Sequence, residues 1–177
     1  MTRFGADLGF AQADWTRGPI DFGRMRYERQ ARARDSMKKH GVAACLLTKP
    51  ENIRYVTSTQ GLDFIPGLRY VLAFAEHEPI VYTMGGTSFG DCPWIRAEDV
   101  RQAFHWAKQA CGPSATWETA KKAAAGIKNG LKEKGLEKEK LGIDEVDEPL
   151  RAALQQSGIE LFNVMPVMLE ARSVKTE

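Results

Sequence analysis

The side chains able to do chemistry on their own are few in this chain and poorly spaced for it. Its three histidines, His40, His77 and His105, stand far apart, with no HExxH or HxH arrangement. Hydrolytic metal sites need several carboxylates and usually a histidine converging on one point, so this spacing argues against a metal centre built by this chain. Cys45, Cys92 and Cys111 are odd in number, widely separated and without a CxxC pair. They argue against a disulfide framework or a zinc knuckle and favour a reducing compartment, the cytoplasm. Asp91 beside Cys92 would raise that thiol's pKa, which disfavours a reactive nucleophile. Ser88, in Gly86-Thr87-Ser88-Phe89-Gly90, is not part of a GxSxG elbow. Glycines 85, 86 and 90 have neither a P-loop lysine nor a GxGxxG after them, so backbone freedom in a loop is their commoner use.

Tyr55, Phe64, Arg69 and Trp94 are the stronger candidates. All four lie in or beside two segments that follow predicted strands. Arginine and polar-tipped aromatics are the usual anchors of interfaces and of substrate carboxylates. Covering the domain's own core is the competing use of Tyr55 and Trp94, since large aromatics are mostly buried. A net charge of +2 excludes a general polyanion binder. Locally, seven Lys/Arg against Glu28 and Asp35 give residues 24–39 an excess of +5. That stretch reads as a solvated helix face paired with acidic neighbours. A free-standing nucleic-acid module is the alternative, and it would bind with a steep salt dependence. No apolar run approaches the roughly 20 residues needed to cross a bilayer, and the start lacks the layout of a signal peptide. The expectation is therefore no nucleic acid and no membrane.

The elements that must position these residues follow from pattern. Residues 1–20 read as an irregular lead-in. A helix is expected from Phe22 to Lys39, capped by Asp21 and stopped at Gly41. Its buried side is narrow, with Met25, Ala33 and Met37 on one face. Val42 to Leu47 reads as a strand covered on both faces, and Pro50 opens a short helix carrying Asn52 to Val56. Arg69 to Ala75 and Pro79 to Met84 form an antiparallel hairpin pair. Val100 to Trp106 is read as a further strand. Ser114 to Lys134 is a helix with the stripe Trp117, Ala120, Ala124, Ile127 and Leu131 and an i,i+4 pair of Glu118 with Lys122. Lys140 to Val146, a helix capped by Asp147, and Ile159 to Val164 make a right-handed parallel βαβ unit. The sum is a three-layer α/β/α fold, a mixed sheet of five or six strands with helices on both faces.

One segment carries more than pattern. Leu46-Leu47-Thr48-Lys49-Pro50-Glu51-Asn52-Ile53-Arg54-Tyr55-Val56-Thr57 resembles the LL-x-x-P-x-N-I-R-Y-x-T signature of the creatinase/prolidase/aminopeptidase P family of metal-dependent peptidases. Glu170-Ala171-Arg172-Ser173-Val174-Lys175 resembles that family's bridge into its catalytic domain. The likeness covers residues 21 to 177. It implies a creatinase N-terminal domain over 21–171, related to the ribonuclease H-like fold but without nuclease chemistry, and the start of a linker at 172–177. It further implies a following catalytic domain that holds two divalent metals (manganese, cobalt or zinc) with two Asp, one His and two Glu. None of those positions falls in this sequence, so no catalytic residue, metal ligand or cofactor is expected here. The implied partners are that catalytic domain, a second copy in a homodimer, and a short peptide substrate of Xaa-Pro type. By position, the loops Thr57 to Arg69 and Thr87 to Arg96 are expected to shape access to the active site; Phe64, Arg69 and Trp94 in them, and Tyr55 in the turn before, are the candidate access residues, although the family does not fix these positions. The family also includes creatine amidinohydrolases and dimethylsulfoniopropionate lyases, and related domains serve as metal-free binding modules in histone-chaperone subunits.

Overall fold

The strands run in the order β4-β3-β2-β1-β5-β6 once numbered along the chain: β1 Ala44–Leu47, β2 Arg69–Phe74, β3 Ile80–Thr83, β4 Val100–Gln102, β5 Leu141–Ile143 and β6 Leu161–Asn163. This computed structural model describes residues 21–59, 67–85 and 92–174, and the backbone alone for 108–111. The lead-in 1–20, Phe64 and Ser88 lie outside the described residues. Helices α1 Phe22–Lys39, α2 Pro50–Thr57, α3 Lys108–Glu133, α4 Glu148–Gln156 and α5 Met165–Ser173 complete the fold. The mixed α/β sheet expected from the sequence is present, with six strands among the described residues. β1 pairs antiparallel with β2 and parallel with β5, while β5 and β6 are parallel.

Period-two alternation divides the core between the two faces. Ala44, Leu46, Tyr70, Leu72, Ile80, Tyr82, Leu141 and Ile143 point to α3 and α4. Cys45, Leu47, Val71, Ala73 and Val81 point to the other side, where Ala33 and Met37 of α1, Ile53 and Val56 of α2, and Val167 and Met168 of α5 cover them. β1 is buried along its whole length, which is why it reads as one continuous apolar run. Asp21 caps α1 as expected, its carboxylate accepting from the Arg24 backbone N–H at 2.9 Å.

Several boundaries move, each for a physical reason. β4 ends at Gln102 instead of reaching Trp106. Beyond it the Ala103 N–H donates to Thr83 O at 3.0 Å and the Phe104 N–H to the Tyr70 hydroxyl at 3.3 Å, and the chain turns Trp106 into the core. His105 therefore follows the strand and is not part of it. Lys140–Val146 and Ile159–Val164 shrink to three-residue strands because the flanking backbone turns away into the helix connections. The stripe on α3 keeps Ala120, Ala124, Ile127 and Leu131, but Trp117 is 38% exposed; Thr116 and Ala123 are buried instead. Gly112 breaks the helix with φ 71°, just before Pro113. Glu118 pairs with Lys121 at 3.0 Å, at i,i+3 spacing, and not with Lys122. The stacked pair Tyr70 and Tyr82, 4.8 Å apart, anchors the α3 side. Burial pushes the Tyr82 phenol up to about 12, and its hydroxyl donates to Gly126 O at 2.9 Å.

α5 is a helix that the sequence reading leaves out, although Pro166 in its first turn and the buried Val167, Met168 and Ala171 are ordinary helix signals. Its start approaches the sheet closely at Gly142. A Cβ placed there would lie 2.8 Å from Val164 Cβ and 3.1 Å from Phe162 Cζ. Val164 Cβ is fixed to the backbone and cannot swing aside. Gly142→Ala is therefore expected to destabilise the domain by about 1–3 kcal/mol through overpacking, read as a lower urea midpoint. A neutral or stabilising result would show that the contact relaxes freely.

Candidate functional site

β1 and β5 are adjacent and parallel, yet the chain leaves them toward opposite faces, to α2 from β1 and to α4 from β5. In open α/β sheets a crevice forms at such a divergence. Here it is filled by Asp144, the residue following β5. One carboxylate oxygen accepts from the backbone N–H groups of Thr48 at 2.9 Å and Glu145 at 2.7 Å and lies 3.1 Å from the Thr48 hydroxyl. The other accepts from the Lys49 N–H at 3.1 Å and from Asn52 Nδ2 at 2.9 Å. The first N–H groups of a helix have no intrahelical partner, Pro50 has none to offer, and Lys49 gives no side-chain cap. Asp144 supplies the missing acceptor from across the sheet. Lys49 also pairs with Glu145, and that hydrogen bond holds its ammonium above the ordinary lysine value.

Asn52 carries the connection onward. It is fully buried, and its Oδ1 accepts from Arg172 Nη1 at 3.0 Å. An acceptor-only carboxylate on one side and a donor-only guanidinium on the other fix the amide's orientation. Tyr55 makes the second connection, its hydroxyl donating to Ala171 O at 2.6 Å. Both partners lie in the last turn of α5. From α1, Ser36 Oγ donates to Val167 O at 2.8 Å, and Lys39 and His40 reach Glu170 at 2.5 and 2.7 Å. The signature turn thus ties the sheet to α5.

The other end of α2 is closed by the loop after β3. Trp94 Nε1 donates to Val56 O at 3.2 Å and Cys92 Sγ to Thr57 O at 2.7 Å, covering two carbonyls at the helix C-terminus. Trp94 is 6% exposed and lies 5.0 Å from the Tyr27 ring. Arg69, 4% exposed, donates from Nη1 to Thr59 Oγ1 at 3.1 Å, and Thr59 Oγ1 lies 2.7 Å from Thr57 Oγ1. Tyr55, Arg69 and Trp94 are therefore brought to one region around α2, and each makes a contact within the domain. The structure brings the described ends of the two candidate loops together there. Sequence reasoning missed Asp144 and Arg172 as members of this linkage. Asp144 lies at the C-terminal end of a parallel strand, and that position was its one available signal.

The basic stretch of α1 is mostly engaged: Arg24 and Arg32 with Glu28, Arg34 with Glu78, Lys38 with Glu76 and Lys39 with Glu170. That matches the paired helix face expected from the sequence. Glu170 is held below the usual carboxyl value by its hydrogen bonds from Lys39 first and His40 second. Since the folded value is lowered, this contact contributes at pH above the unfolded value of about 4.3. It is lost as pH falls through the lowered one. Hydrogen exchange at the end of α5 should accelerate over that acid window and lose this dependence in Glu170→Gln. An unchanged pH profile in the variant would refute the contact's role.

Among the described residues no three His, Cys, Asp or Glu side chains are grouped to hold a metal. The described residues thus do not fit the two divalent metals that the family resemblance implies. Burial raises the Cys45 thiol far above its ordinary value, as for an inert core cysteine. No helix among the described residues is long and apolar enough to cross a membrane.

Sheet order, the Asp144-Asn52-Arg172 linkage and the docked α5 together define an α/β domain with helices on both faces of a mixed sheet. The sequence profile of the Creatinase/Prolidase N-terminal domain matches residues 29–174, and the chain belongs to that family. Among solved structures it is similar to an Xaa-Pro aminopeptidase from Streptococcus pyogenes, with a TM-score of 0.53 and 18% identity, covering 85% of this chain and 99% of that one. It is similar also to an Xaa-Pro dipeptidase from Bacillus anthracis, with a TM-score of 0.55 and 18% identity, covering 86% of this chain but 37% of that one. At that identity the likeness carries the fold. No curated protein sequence matches the chain significantly.

Proposed function

We propose that this chain is the non-catalytic N-terminal domain of a metal-dependent Xaa-Pro dipeptidase- or aminopeptidase P-like hydrolase. It supports homodimerisation and shapes access to an active site whose two divalent metals, manganese, cobalt or zinc, are held by polypeptide outside this chain. The observation that carries the reading is the fixing of α5: Asn52, Tyr55, Ser36, Lys39 and His40 all bond to it. A domain whose task is to aim the chain that follows must hold its exit element rigidly, and binding or catalytic loops work best on such a frame. Two loops spring from one place at the end of α2, where Arg69 and Trp94 sit. Segments anchored there suit a wall around a site for short peptides, and Phe64 belongs to the first of them by sequence. The cytoplasm is the compartment this reading assumes.

The test compares Xaa-Pro dipeptide hydrolysis, with manganese added, by the 177-residue chain and by the longer polypeptide that contains it. The chain alone should show no turnover above background. In the longer polypeptide, Arg69→Ala and Trp94→Ala should lower kcat/KM at temperatures where both variants remain folded. Robust turnover by the chain alone, lost on mutating its own side chains, would overturn the proposal.

A further inference from the structure

β6 closes one end of the sheet and, among the described residues, pairs only with β5. The Leu141 N–H donates to Glu160 O at 2.8 Å and the Val164 N–H to Ile143 O at 3.0 Å, so Glu160, Phe162 and Val164 turn their backbone toward β5. In a parallel ladder the residues between them point the other way. The N–H and C=O groups of Leu161 and Asn163 accordingly face outward, and none of them has a partner among the described residues. Exposed strand edges are commonly blunted by proline or by charge. Leu161-Phe162-Asn163 carries neither.

A cleft of about 540 Å³ lies at the carboxyl ends of β5 and β6, within the range of about 300–1,000 Å³ usual for ligand sites. Ile143, Val146, Leu161, Phe162 and Met165 supply its apolar lining. Of the charged residues that line it, Asp144 and Glu145 are already answered. Asp144 accepts from Thr48, Lys49, Asn52 and Glu145, and Glu145 pairs with Lys49. Arg151, half-buried on α4, has no side-chain hydrogen bond or ion pair among the described residues. All the N–H donors of its guanidinium are thus open to a ligand, and their forked geometry fits a carboxylate.

We propose that the β6 edge and this cleft form a docking site for an extended acidic segment of another polypeptide. The segment adds a strand beside β6, bonding Leu161 and Asn163 through its backbone, and sets a carboxylate on Arg151. Charge complementarity selects this occupant: the lining charge left unanswered is a cation, so an acidic strand fits and a basic one does not. A three-residue edge is too short to hold a strand by itself, so the guanidinium and the apolar lining complete the grip. An Xaa-Pro dipeptide is a poor fit, since proline brings no N–H to the edge. The site is therefore independent of the peptidase reading.

The experiment is an amide NMR titration of the 177-residue chain with acetyl-Val-Glu-Val-Thr-Val-amide. Related peptides are titrated beside it: one with Gln for Glu, one N-methylated along its backbone, and one with Gln for Glu and a free C-terminal carboxylate. Saturable shifts should centre on Leu161, Asn163 and Arg151, and N-methylation should abolish them. The amidated Gln peptide should bind about tenfold more weakly, the loss of one charge-assisted fork. Arg151→Ala should weaken the Glu peptide by the same factor and leave the amidated Gln peptide unchanged. Lys132→Ala, outside the cleft, should alter neither. Whichever carboxylate peptide binds tighter identifies the carboxylate as a side chain or a chain end. Equal affinity for all the unmethylated peptides, or binding that survives N-methylation, would overturn the proposal. So would shifts at Leu161 and Asn163 on diluting the chain without peptide, which would make a second copy the occupant.

Discussion

Asp144→Ala is expected to lower the unfolding free energy by about 3–5 kcal/mol, the range for stripping a buried, hydrogen-bonded charge from its partners. The lost carboxylate orphans the Thr48, Lys49 and Glu145 backbone N–H groups together with Asn52 Nδ2. Asn52 is buried and Thr48 and Lys49 are half-buried, so water replaces the missing acceptor only in part. Asp144→Asn keeps the shape but turns one acceptor oxygen into a donor facing other donors, so about 2 kcal/mol is expected. Urea denaturation reads both values. Less than about 1 kcal/mol for the alanine variant would show that the turn holds itself without Asp144.

Trp106→Ala is expected to cost a similar amount, about 3–5 kcal/mol, for a different reason: a large cavity opened in a packed core. Trp106 is among the largest side chains buried in this domain, 5.3 Å from the Tyr70 ring. Gly67 runs against it so closely that a Cβ there would lie 3.0 Å from its ring. Its indole N–H, however, is buried with no hydrogen-bond partner among the described residues. Trp106→Phe removes that unsatisfied donor as well as volume, and the two effects oppose each other. It should therefore cost about 2 kcal/mol or less. Equal losses in both variants would mean that the indole N–H is satisfied in solution.

The central elements are legible in the sequence because their signals are local. The continuous apolar run of β1, the Asp21 cap of α1 and Pro50 at the start of α2 each depend on a few neighbouring residues. The family signature is legible too, as a string of residues, but its purpose is not. Asn52 and Asp144 are separated by 92 positions and Tyr55 and Ala171 by 116, and no period or cap in the chain links them. Trp117 misleads the stripe on α3 because apolar spacing alone groups it with Ala120 and Ala124, although the fold leaves it 38% exposed. Trp94 and Cys92 are readable as loop residues, yet their use as caps for α2 exists only once the loop returns to that helix. Arg54 is the opposite case, a residue inside a strong local motif whose side chain the fold leaves facing a cleft.

Native-state hydrogen exchange on α5 in the double variant Asn52→Ala, Tyr55→Phe is the direct test of whether the signature turn holds α5 to the sheet. The variant severs the link between Asp144 and Arg172 while leaving Asp144 its backbone donors. Amides of residues 165–173 should lose protection at denaturant concentrations where β1 and β2 remain fully protected, so that α5 opens as a separate unit. If α5 keeps its protection, or opens only together with the central strands, the signature turn does not hold that helix, and the aiming role proposed for this domain falls with it.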